Sequence, residues 1–208
     1  MSSRSIPLFP LRTVLFPDGL LPLQVFEVRY LDMIGKCIAS QSEFGIVSLA
    51  EGSEVRKLDG KEVLAPVGTV AKIDEWGKPQ PGLIRINCIG GERFRILSSE
   101  QLKHGLWVAE VESLEDDHSI PIPQELQITA DMLQSLITAL QKKVGEGGEL
   151  PMRPPYRLND CGWVANRWCE LLPIALTEKQ HLLALDNPLV RLELVQDLLD
   201  QLGLTESV

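Results

Sequence analysis

No apolar run in the 208 residues approaches the roughly 20 that a membrane helix needs. The most apolar stretch near the start, Leu8 to Leu23, is broken by Pro10, Arg12, Pro17, Asp18 and Pro22. A secretory leader and a spanning helix are excluded as readings of that stretch, and the expected location is the cytoplasm. The four cysteines, Cys37, Cys88, Cys161 and Cys169, include no Cys-x-x-Cys pair. Buried, reduced thiols are therefore expected rather than a metal or redox centre. A basic excess is missing as well. The net charge is −9, and residues 1–118 hold 13 basic and 17 acidic side chains, leaving 7 and 12 in the remainder. Neither part has the cations that phosphate neutralisation demands, so nucleic acid is a disfavoured partner.

Catalytic equipment is equally scarce. No Gly-x-x-x-x-Gly-Lys-Ser/Thr segment is present, and the glycines from Gly145 to Gly148 lack the following Lys-Ser/Thr that would hold phosphate and magnesium. There is no Gly-x-Ser-x-Gly elbow and no His-Glu-x-x-His helix. His104, His118 and His181 stand far apart without ligand spacing. Glu115, Asp116, Asp117 and His118 could gather a divalent cation, but a charged run beside prolines is ordinarily a solvated turn. The expectation is no metal, no cofactor and no catalytic residue.

What is present is a change of period. Up to about residue 118 the apolar residues form short runs or alternate, separated by glycine, proline and charge, as in a small barrel or sandwich. Strands are predicted at Ile6–Leu8, Leu20–Val25, Phe44–Leu49, Val67–Trp76, Leu83–Ile89, Phe94–Leu97 and Trp107–Glu112. In Leu83–Ile89, Ile84, Ile86 and Cys88 alternate with Arg85 and Asn87, and Gly90–Gly91 then predicts a bend or bulge. One helix interrupts this region. Tyr30, Met33, Ile34, Cys37 and Ile38 fall on one face between Glu27 and Ser40, a stripe expected to plug one end of a barrel. Glu27 and Arg29 at its start read as a salt bridge rather than an acid/base pair.

From Pro121 the period becomes about 3.6. The division predicted is a barrel domain at 1–118 and a helical domain at 119–208. The first helix carries Ile128, Leu133, Leu136, Ile137, Leu140 and Val144 and stops at Gly145. A Pro/Gly loop runs to Leu158. Asn159 or Asp160 can cap a helix to Leu172, ended by Pro173. Thr177 and Gln180 suit a capping box for a short helix. The last helix has Asn187 as cap, Pro188 at its first position and Gly203 after its end. Four residues of this half form the candidate binding set: Met152 and Tyr156 on the loop, where exposure is expected, and Trp163 and Arg167 one turn apart on a helix. Core packing is the favoured reading of the last two, the alternative being a partly exposed aromatic–arginine hot spot.

The segments Ile6–Pro17 (IPLFPLRTVLFP) and Leu21–Tyr30 (LPLQVFEVRY) resemble the start of the Lon N-terminal domain family, especially its stand-alone bacterial members. The likeness continues through Phe44–Val47 (FGIV), Val67–Ile73 (VGTVAKI), Gly90–Ile96 (GGERFRI), Asp160–Arg167 (DCGWVANR), Glu170–Ile174 (ELLPI) and Lys179–Leu183 (KQHLL), covering nearly the whole chain. Val28 departs from the pattern, in which proline is common there. The resemblance implies an α+β fold, a PUA-like β-barrel followed by a helical bundle. It also implies a binding role toward exposed, unfolded or tagged polypeptide segments, as an adaptor in protein quality control. Full Lon proteases add an ATPase module and a serine–lysine proteolytic domain, neither of which lies in these 208 residues, so no enzymatic activity is expected. The family brings no agreed catalytic residues. RNA binding is the alternative, since PUA-like barrels include RNA-binding modules. An enzyme using Glu27, Arg29 and Arg93 on a small molecule is a third reading that no spacing supports.

Overall fold

The computed structural model describes residues 3–51, 62–145, 148 and 150–205. Gly147 of the expected Pro/Gly loop lies outside them. The chain forms two compact units, Met1–Asp116 with Ala175–Leu183, and Asp117–Ile174 with Ala184–Val208. The short helix expected with the helical half thus belongs to the first unit.

In the first unit six strands, β1 (Ser3–Leu11), β2 (Leu20–Val25), β3 (Phe44–Glu51), β4 (Val63–Gln80), β5 (Leu83–Gln101) and β6 (Trp107–Ser113), form one sheet of order β2-β5-β4-β3-β1-β6. A second pairing, β5 with β6, closes β1, β3, β4, β5 and β6 into a barrel and leaves β2 outside the closure. β1 runs parallel to β3 through Leu8–Leu11 and antiparallel to β6 through Ser3–Leu8. This offset accommodates both of its prolines. Pro7 lies where β1 pairs with β6 and Pro10 where it pairs with β3, so each missing N–H falls on a side without a strand partner.

Alternation along the strands sorts the apolar residues into two cores. Ile6 and Leu8, Val47, Val70, Phe94, Ala109 and Val111 fill the barrel. Phe94 occupies its centre because Gly68 has no side chain: a β-carbon there would stand 2.5 Å from Phe94 Cζ and from Ile46 O. Phe9 and Leu11, Phe44 and Ile46, Ala71, Ile84, Ile86 and Cys88 point the other way, into a second cluster with Tyr30, Met33, Ile34 and Cys37 of α1 (Val28–Ser40). The helix therefore covers the outer face of the sheet, and the expected plug in the barrel's end is replaced by this packing. The reason is the even–odd division of β1 and β3, which gives both faces apolar residues.

Two strands run longer than their sequence suggests. β5 is continuous through Gly90–Gly91 and absorbs the predicted bulge, since Thr69 and Ala71 pair with Arg93 and Gly90, two residues against three. A β-carbon on Gly90 would lie 2.1 Å from Phe16 O, which is why the bulge residue there is glycine. β4 continues through Gly77, Lys78 and Pro79 to Gln80 before a turn at Gly82, whose φ is +76°.

α4 (Leu176–Ala184) docks on the barrel through polar clasps. Gln180 Oε1 accepts from Ser48 Oγ at 2.6 Å and its Nε2 donates to Val67 O at 2.8 Å, so the predicted capping box with Thr177 is replaced by a tertiary bridge. Buried Arg93 donates to Leu183 O at 2.9 Å and Glu115 O at 3.1 Å.

The second unit contains α2 (Gln127–Val144), α3 (Cys161–Leu171) and α5 (Pro188–Gln201), with a short 3-10 turn at Gln124–Leu126. Asp160 caps α3, accepting from Trp163 N at 2.8 Å, and Asn187 caps α5 through Leu189 N at 2.9 Å. Trp168 Nε1 donates to Thr129 O at 2.9 Å and ties α3 to α2. At the centre, the fully buried Arg191 binds both Asp117 oxygens, Asn166 Oδ1 at 3.0 Å and Leu185 O.

Candidate functional site

The α1 flank of the first unit holds its two most exposed large apolar residues. β2 is an edge strand bordered only by β5 among the described strands, which allows Pro22 within it. Where β2 turns into α1 the chain presents Phe26, 60% exposed, and Val28, 73% exposed. A corner this apolar needs rigid support, and Arg29 supplies it. Its Nε donates to Glu27 Oε2 at 3.2 Å, its NH1 donates to Gly105 O at 2.7 Å, and its guanidinium lies 4.5 Å over the Tyr30 ring. Tyr30 in turn stacks on Phe9 with centroids 4.0 Å apart. The arginine thus pins the start of α1 to the β5–β6 turn. Glu27 and Arg29 form the salt bridge expected of them, and Arg93 is committed to α4.

Two cavities flank α1. One, of about 360 Å³, is walled by Pro7, Val28, Met33 and Leu106, with Lys36 and His104 beside them. Its size falls within the ordinary range for binding pockets, roughly 300 to 1,000 Å³, and a methionine wall adapts to varied apolar shapes. The other, of about 470 Å³, lies between the C-terminal end of α1 and β4 and is lined by Ile38, Gln41, Lys72, Ile73 and Trp76 among others. Cys37 and Ser42 line both. Burial raises the Cys37 thiol pKa above the usual 9.0, although a hydrogen bond to Ser42 opposes the shift. Burial likewise pushes Cys88 up to about 12 and Cys161 up to about 11. All four cysteines are free and buried, as expected.

The residues nominated in the second unit come together, but inward. Tyr156 and Trp163 have ring centroids 6.2 Å apart, and the Arg167 guanidinium lies 5.7 Å from the Trp163 ring. Trp163 is 4% exposed and Arg167 1%, with Arg167 Nε 3.0 Å from Glu170 Oε2. Met152, expected to be exposed on its loop, is 2% exposed and part of the core. Tyr156 is half-buried. The Pro/Gly loop therefore folds its apolar side chain under itself and exposes Pro151, Arg153, Pro154 and Pro155. In the acidic run, Asp117 is engaged by Arg191. Among the described residues no three His, Cys, Asp or Glu side chains group as a metal site would require, and no helix is long and apolar enough to cross a membrane.

A closed β-barrel with an outer helix, followed by packed helices, defines an α+β protein of the PUA-like barrel class. The chain belongs to the family described as the ATP-dependent protease La (LON) substrate-binding domain, whose model matches residues 5–201. It is similar to Lon protease 1 of Bdellovibrio bacteriovorus, 23% identical over 98% of this chain and 26% of that protein. It is also similar to Lon protease of Anaeromyxobacter dehalogenans, 26% identical over 94% and 23%. The chain thus spans about a quarter of the length of these curated relatives. Among solved structures it resembles a Lon N-terminal domain protein from Xanthomonas campestris, with a TM-score of 0.74 and 31% identity, covering 93% of this chain and 98% of that one. The N-terminal domain of the Mycobacterium avium complex Lon protease shares the fold, with a TM-score of 0.62 at 20% identity, covering 98% and 99%.

Proposed function

We propose that the chain is a non-catalytic binding module that recognises exposed or unfolded polypeptide segments, acting in the cytoplasm as an adaptor in protein quality control. The observation that carries this reading is the pairing of exposed Phe26 and Val28 with the cavity walled by Met33 and Leu106. An extended chain can lay an apolar side chain into that cavity while its backbone passes the corner, and the guanidinium of Arg29 holds both walls in place beforehand. Membership of a family described as substrate-binding supports the polypeptide as ligand. This surface replaces Met152, Trp163 and Arg167 as the binding set, because their burial leaves Tyr156 alone with ring surface to offer.

The test is fluorescence anisotropy of the purified chain with a labelled unfolded polypeptide and, in parallel, a labelled RNA, each at low and moderate salt. Saturable polypeptide binding with weak salt dependence is expected, and Val28→Asp should weaken it about tenfold, the effect of losing roughly 1.4 kcal/mol. The same substitution should change stability by no more than about 0.5 kcal/mol, as a surface replacement does. Binding to RNA alone, with affinity falling steeply as salt rises, would overturn the reading. So would ATP-dependent cleavage of the polypeptide by the purified chain.

A further inference from the structure

We propose that the second unit carries a self-association face: the C-terminal end of α2 in one copy of the chain packs on α5 of a second copy, and the reciprocal contact closes a two-fold dimer. The inference uses no part of the α1 flank and is independent of the proposed function.

α5 carries more apolar surface than its core takes up. Leu192, Val195 and Leu199 are buried within the unit. Val190, Leu194, Leu198 and Leu202 form a second row, repeating every four residues on another face of the helix. Its ends are open, with Val190 38% and Leu202 44% exposed, and Leu194 and Leu198 between them are half-buried. The exposed charges of α5 have a single sign. Glu193, Asp197 and Asp200 all face water, whereas the one cation of the helix, Arg191, is fully buried against Asp117.

α2 supplies the complement. Its buried residues stop at Ile137, so its last two turns lie outside the core. These turns carry Leu140 and Val144, four residues apart, the first half-buried and the second 38% exposed, together with exposed Lys142 and Lys143. The other Lys and Arg side chains of the unit are taken. Arg167 is held by Glu170 and Arg191 by Asp117, and Arg153 and Arg157 are engaged as well. Among the described residues the side chains of Lys142, Lys143, Glu193 and Asp197 make no ion pair or hydrogen bond. A basic apolar helix end and an acidic apolar row therefore occur in one unit without being joined inside it.

A second copy joins them. Both apolar rows run at i, i+4, and rows of that pitch mesh when two helices cross at about −50°. In a two-fold arrangement each copy gives one basic end and receives one, so the contact is used twice, which moves it toward the roughly 1,200 Å² that specific interfaces bury. Packing α5 directly on its counterpart would instead bring two acidic rows together, and like charges oppose that contact.

The experiment is sedimentation equilibrium of the full chain over a concentration series, with two charge-reversed variants at exposed positions. One is Lys142→Glu with Lys143→Glu, the other Glu193→Lys with Asp197→Lys. Expected is a wild-type dimer with a Kd of roughly 10 μM, weakened by added salt because the paired charges lie at the surface. Each variant alone should dimerise at least about tenfold more weakly, with a melting temperature close to that of the wild type. Mixed in equal amounts, the two variants should associate as tightly as the wild type, since each acidic end then meets a basic row and each basic end an acidic one. A wild-type chain that stays monomeric at about 0.2 mM, some twentyfold above that Kd, overturns the inference. So does a dimer that both charge reversals leave intact, or a mixture of the two variants that fails to associate. A dimer abolished by Val28→Asp but not by the charge reversals overturns it too, because the contact then lies on α1.

Discussion

Trp76 and Trp163 show two opposite uses of the same side chain. In the first unit Trp76 stands on a strand that has outrun one neighbour, with about half its surface in water. In the second unit Trp163 has Tyr156 on one side and Arg167 nearby, on a helix whose residues from Cys161 to Cys169 are all buried. Both environments contain cations near an indole, so composition alone does not separate a binding surface from a core. What separates them is whether the neighbouring polar groups are already engaged. Arg167 is held by Glu170, and Arg191 of α5 by Asp117, Asn166 and Leu185 O. Such a network makes a unit rigid and leaves little chemistry for a ligand. On the α1 flank the engaged arginine, Arg29, lies behind the apolar corner, which itself remains uncovered.

If the second unit is scaffold, its largest vulnerability is Arg191. Arg191→Met leaves Asp117 without its bidentate partner in a half-buried position, and removing one member of a buried pair costs about 3–5 kcal/mol. In urea unfolding this appears as a lower midpoint. A loss below about 1 kcal/mol would mean that Asp117 relaxes into solvent and that the network contributes little. Next comes Trp163→Ala, for which removal of a core indole predicts about 3 kcal/mol. Any protein still folded should bind polypeptide as the wild type does. A stable Trp163→Ala chain that loses polypeptide binding would reverse the comparison and return the site to the second unit.

Most of the fold was legible because its determinants are local. The change of period near Pro121, the alternation of Ile84, Ile86 and Cys88, and the caps at Asp160 and Asn187 each concern residues within a few positions of one another. What escaped depends on tertiary neighbours. The apolar side of α4 reveals a helix, but the surface it meets is set by Gln180 and Arg93 finding Val67 O and Leu183 O, contacts 113 and 90 residues apart in sequence. Met152 sits among prolines and glycines and so reads as exposed, whereas the loop closes over it. The strand predicted to end at Trp76 runs on through Gly77, Lys78 and Pro79 to Gln80, an extension that glycine and proline conceal in the sequence. One signal for the α1 flank was present. Phe26 and Val28 both lie outside the i, i+3, i+4 stripe of α1, so two apolar residues had no core to enter.

The smallest expected effect concerns the thiols, and it sharpens the comparison on a pH axis. Cys88, packed beneath α1 in the first unit, has its pKa raised by burial, with a further contribution from nearby Cys37, from 9.0 to about 12; Cys161 in the second unit rises to about 11. A raised thiol pKa means the unfolded chain releases a proton that the folded chain retains. Stability is therefore unaffected below pH 9 and falls as pH climbs above it, because the folded state then binds more protons than the unfolded one. The penalty slows through the folded pKa, near 12 for Cys88 and near 11 for Cys161, and levels above it. Subtracting each alanine variant's stability curve from the wild type's removes the lysine and tyrosine titrations common to both. Between pH 11 and 12 the Cys88→Ala difference should change more steeply than the Cys161→Ala difference, which is then levelling. Parallel differences through that last unit would show that the outer core beneath α1 shields its thiol from water no better than the capped end of α3 does.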